Sequence, residues 1–109
     1  MPKYEKSKDK LEVKVDYKLI KKRAYKNQGQ VVNFLKWLFT YRFPLEPDDL
    51  ERIQSNLVKL YADENKLKKA IIGYIKENPY FMQKLNKKKP NYYTLQTCIN
   101  YAIASAITK

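Results

Sequence analysis

A chain of 109 residues, 44% apolar and with 15 aromatic side chains, holds enough material for one domain around one modest core, which excludes disorder throughout. Its 23 basic against 11 acidic side chains give a net charge of +12 and an attraction to phosphate polyanions, acidic protein surfaces or anionic lipid. With no histidine and a single cysteine, Cys98, the chain cannot assemble a disulfide framework, a Cys/His metal site or a Ser–His or Cys–His catalytic pair, so neither an enzyme nor a cofactor or metal is expected.

The charge is uneven. Residues 1–28 carry +6, residues 29–64 carry −2 and residues 65–109 carry +8, so a polyanion would meet the two ends of the chain rather than its middle. A bland account competes, because twenty of the cations are lysine and ten residues are tyrosine, which is what an AT-rich genome writes on any surface.

The first ten residues, MPKYEKSKDK, have no apolar run of the kind a secretory signal needs. An intracellular place is expected, in cytoplasm or nucleoid, or packaged in a virion. From Leu11 the pattern alternates, with Leu11, Val13, Val15, Tyr17 and Leu19 on one side and Glu12, Lys14, Asp16 and Lys18 on the other, which predicts a half-buried strand over residues 11–19. No second alternating segment follows. Residues 1–28 are therefore expected to form a basic arm that pairs with another copy, giving a homo-oligomer, or wraps a partner, while residues 29–109 form the helical domain. Lys21, Lys22, Arg23 and Lys26 close the arm as candidate phosphate contacts.

Gln30 to Phe43, QVVNFLKWLFTYRF, concentrates apolar bulk and predicts a central helix stopped by Pro44. At about 14 residues it is too short for the roughly 20 that span a bilayer, so no membrane is expected. Pro47 and the acids Asp48, Asp49 and Glu51 announce the next helix, with Leu50, Ile53, Leu57, Leu60 and Tyr61 as its apolar stripe. Those acids with Glu46 are ordinary at a helix start, and nothing completes a metal shell around them. Asp63 is a natural cap for a helix to about Glu77, inward at Leu67, Ala70, Ile71, Tyr74 and Ile75 and outward at Lys66, Lys69, Gly73 and Lys76. Tyr80 to Asn86 reads as a short helix. Lys87, Lys88, Lys89 and Pro90 follow, and Asn91 or Thr94 then caps a last helix through about Ile107, buried at Leu95, Cys98, Ile99, Ala102 and Ala106.

The rhythm of these last 45 residues, a helix ending in ENP, a short helix, a turn and a two-faced helix, resembles helix-turn-helix and winged-helix domains in general. That resemblance makes Tyr93, Gln96, Thr97 and Asn100 candidate base readers in a DNA groove, with Lys87, Lys88 and Lys89 positioning phosphates. Against it, polar residues cover the outer side of any surface helix, the turn is long, and Ala102, Ala104, Ser105 and Ala106 equally suit close packing of a neighbour. The fold class expected is mainly α, a small bundle of four to five helices with an extended N-terminal arm or single strand. The function expected is non-enzymatic binding of nucleic acid, DNA before RNA, as a small regulator or a coating or packaging protein; Lys66, Lys69 and Lys76 join the phosphate contacts. The alternative is a virus- or plasmid-type interaction protein, an inhibitor or assembly subunit, docking on an acidic protein or RNA-containing complex.

Overall fold

The computed structural model describes residues 16–86 and 91–109, and among these residues it is mainly helical, with no strand. Six helices are present rather than four or five: α1 Tyr17–Lys26, α2 Gln28–Trp37, α3 Pro47–Ala62, α4 Glu64–Glu77, α5 Pro79–Leu85 and α6 Tyr92–Ile107, with a π-helical stretch Leu38–Arg42 continuing α2.

The predicted strand is corrected over its described part. Residues 11–15 lie outside the described residues, but Asp16 is an N-cap whose carboxylate accepts from the Lys18 amide at 2.9 Å, and Tyr17, Lys18 and Leu19 are the first turn of α1. A helix satisfies its own backbone, which a lone strand cannot, and it turns Ile20 and Ala24 inward to zero exposure. The last part of the supposed arm is therefore core. Two tyrosines fasten it: the Tyr25 hydroxyl donates to the Tyr61 carbonyl at 3.0 Å, and the Tyr61 hydroxyl donates back to the Ala24 carbonyl at 3.0 Å, with the rings edge to face at 5.4 Å. Burial pushes the Tyr61 phenol up to about 12.

The helix starts follow their caps. Pro47 opens α3 with Asp48 and Asp49 in its first turn, the Asp63 carboxylate accepts from the amides of Asn65 and Lys66, and the Asn91 side chain accepts from those of Tyr93 and Thr94. Each such cap contributes about 1 kcal/mol. On α4, Leu67, Ile71 and Ile75 are fully buried, as their spacing predicts.

The centre of the bundle is α6, not the aromatic stretch 30–43. All five other helices pack on it, and Leu95, Cys98, Ile99 and Ile103 have no exposed surface. Its C-terminal end is tied down by Asn56 of α3, whose amide donates to the Ile107 carbonyl at 2.9 Å. Along α2 and the π stretch, Val31, Leu35, Leu38 and Phe39 are buried, while Trp37 is 45%, Tyr41 75% and Phe43 62% exposed. The Phe43 amide donates to the Leu38 carbonyl at 2.7 Å, five residues back, so the turn is wider than α and carries Tyr41 and Arg42 outward.

Candidate nucleic-acid interface

Helical packing sorts the predicted cations. On α1, Lys21 is spent on a carboxylate: its ammonium lies 2.9 Å from Glu64 Oε1, and that hydrogen bond holds its pKa above the usual lysine value. Lys22 and Lys26, one turn apart, are exposed. Arg23 lies half-buried between them, its guanidinium carbon 4.7 Å from the centre of the Tyr92 ring at the start of α6.

These side chains enclose a cleft of about 190 Å³ lined by Leu19, Lys22, Arg23, Lys26, Asn27 and Tyr92, three cations and no acid. The Arg23 Nε–H is buried there without a hydrogen-bond partner. A buried unpaired donor costs about 1–3 kcal/mol, more when charged, and Arg23 is in no ion pair among the described residues. The cleft opens at the positive end of the sixteen-residue α6.

Behind the cleft the expectation for the last helix is corrected. Gln96 is not on an outward stripe: it is 7% exposed, its Oε1 accepts from the Asn27 amide at 3.2 Å, and its Nε2 donates to Asn100 Oδ1 at 2.9 Å. Thr97 and Asn100 are half-buried and only Tyr93, at 80%, stands clear. The reason is the position of α6 at the hub: all five other helices pack on it, and its large exposed side chains are Tyr92, Tyr93 and Tyr101. Gln96 thus bridges the start of α2 to α6 through Asn27.

The remaining lysines are spread out. Lys66, Lys69 and Lys76 are exposed along α4, where Lys69 shares a groove of about 240 Å³ with Gly73, Glu77, Ser105 and Lys109. Lys87, Lys88 and Lys89 lie outside the described residues. Thus Lys22, Arg23 and Lys26 come together with Tyr92, and the α4 lysines line a separate surface. Asn27 and Tyr92 are uncharged and so stand outside the predicted cation set; the one available signal for Tyr92 is its place directly after the Asn91 cap. Among the described residues, no helix is long and apolar enough to cross a membrane, and no group of three or more His, Cys, Asp or Glu side chains gathers to hold a metal. Cys98 is fully buried in the core, and burial pushes its thiol up to about 12.

A second surface is aromatic. Phe34 meets Trp37 at 6.0 Å and Tyr101 at 5.0 Å between ring centres, and the Arg42 guanidinium lies 5.9 Å from the Trp37 ring centre.

No protein-family model matches the chain, and no curated protein or solved structure matches it.

Proposed function

We propose that the protein binds nucleic acid without catalysis, gripping the phosphate backbone through exposed cations and leaving the bases unread. The observation that carries this reading is the acid-free cleft of Lys22, Arg23 and Lys26 at the start of α6. The sequestered Gln96 argues for a coating or packaging role over that of a sequence-selective regulator.

Gel-shift series on duplex DNA, single-stranded DNA and RNA at several salt concentrations test it. Binding should weaken steeply with salt, and a Lys22→Gln/Lys26→Gln double variant should lower the logarithmic salt slope by about 0.7–0.9 per lost phosphate contact, equally for every sequence tried. A salt-independent result, or no binding at all, sinks the proposal.

One observation favours the second reading, an interaction protein that docks on an acidic or RNA-containing complex. Trp37, Tyr41 and Phe43 are exposed within one short stretch of chain, with the Arg42 guanidinium 5.9 Å from the Trp37 ring centre, and Trp, Tyr and Arg are the residues that dominate binding energy at protein interfaces. Loss of partner capture in Trp37→Ala with nucleic-acid affinity unchanged would select it.

A further inference from the structure

The α1–α6 cleft has a more specific chemistry than a surface lysine cluster. Cations in the last turn of a helix commonly complement its negative end, and that accounts for Lys26 on α1. It does not account for an arginine whose Nε–H is sealed from solvent with no acceptor. Nor does it account for the placement of that guanidinium on the Tyr92 ring, which fixes the fork before any ligand arrives. The geometry points to a site for one phosphate group: Arg23 supplies the planar donor fork, Lys22 and Lys26 flank it as point charges, and the positive end of α6 faces the same space.

The Tyr92 ring, 56% exposed, lines the cleft beside the guanidinium it holds. The cleft volume of about 190 Å³ has room for a tetrahedral oxyanion with attendant water. Leu19 forms an apolar wall, which lowers the local dielectric and strengthens each charge–charge contact. Such a site deepens the nucleic-acid reading, on which it rests for the source of its ligand, a backbone phosphodiester or a strand's terminal phosphate.

Nuclear magnetic resonance on the ¹⁵N-labelled full chain separates the two claims. Inorganic phosphate, titrated at constant ionic strength against chloride, should shift the Arg23 Nε–H and the Lys22, Lys26, Asn27 and Tyr92 amides with saturation. Arg23→Gln should weaken that binding about tenfold, the size of a charged hydrogen-bond loss. The exposed Lys22→Gln/Lys26→Gln pair gives the same direction should the arginine variant fold poorly. Short single-stranded oligonucleotides, with and without a 5′-phosphate, should move the same resonances, and a requirement for the 5′-phosphate would assign the terminal group. Saturating phosphate shifts with no oligonucleotide binding would keep the site and overturn the nucleic-acid reading. Oligonucleotide binding with the cleft resonances unmoved would keep that reading, through other lysines, and overturn the site. Phosphate shifts that never saturate, or that survive both variants, also overturn it.

Discussion

The last helix, α6, and the aromatic segment from Val31 to Phe43 are both strongly apolar, yet one is surrounded and the other keeps half its bulk in water. Helix α6 carries no charged residue over Tyr92–Ile107 and is rich in small and aliphatic side chains, Cys98, Ala102, Ile103 and Ala104 among them, so all five other helices can pack on it. The aromatic segment has larger rings but also Lys36 and Arg42, which must reach solvent and so reserve part of its circumference. A hub is made by a helix without charge, and bulk on one arc makes only a wall.

The sharpest way to break this contrast is to strip a neighbour from the hub. Deleting residues 1–28 removes α1 with Ile20 and Ala24, and the expected outcome is loss of cooperative unfolding by circular dichroism. A folded truncation would return these residues to the status of an arm. Next, Ile99→Ala on the hub should cost about 2–5 kcal/mol in urea unfolding; a smaller loss than that caused by Trp37→Ala would invert the comparison.

The hub also titrates. Burial raises the Cys98 thiol from its ordinary value of 9.0 to about 12, so folding keeps a proton that the unfolded chain gives up. Its contribution is complete below pH 9 and fades as pH climbs toward 12, at a slope of about 1.4 kcal/mol per pH unit. Stability curves of the native chain and of Cys98→Ala, measured from pH 8 to 11, should diverge by that slope; parallel curves would mean that the thiol is not sealed. Gln96→Ala should destabilise by about 1–3 kcal/mol, because it strands the Asn27 amide and frees Asn100. Any sequence-dependent change in DNA affinity from that substitution would restore a base-reading role. Trp37→Ala, at the half-exposed wall, should cost only about 1 kcal/mol, read from the same melts.

Much of this architecture was written locally. Asp63 and Asn91 mark their helix starts because a cap is a contact within a few residues, Pro47 marks its own because its ring presets the first helical turn, and Leu67, Ile71 and Ile75 declare α4 because 3.6-residue spacing is a local property. Helix α1 was misread because Tyr17 and Leu19 continue a two-residue alternation while Tyr17, Ile20 and Ala24 obey the helical period; only burial against α6 decides between them. The identity of the hub is legible in principle, as sixteen residues without a charge, but the aromatic mass of residues 30–43 is the stronger local signal. At the candidate site, Lys22, Arg23 and Lys26 were found by charge alone. Tyr92 and Asn27, which turn that charge into a cleft, arrive from distant positions in the chain, and no local pattern announces such a meeting. Gln96 failed for the same reason: a polar side chain is assigned outward unless its partner, here sixty-nine residues away, is already known.

The hub is also the last of the six described helices to be made. At roughly 5–20 residues per second, α1 leaves the ribosome on the order of ten seconds before α6 can cover it. During that interval Ile20, Val31, Ile53 and Leu67 lack the α6 surface, and the earlier helices have chiefly the contacts of α1 with α2, α3 with α4 and α4 with α5. Folding of this domain is thus closed by its final segment, and a ribosome that stalls before Leu95 holds a chain whose apolar faces are open to any holding chaperone.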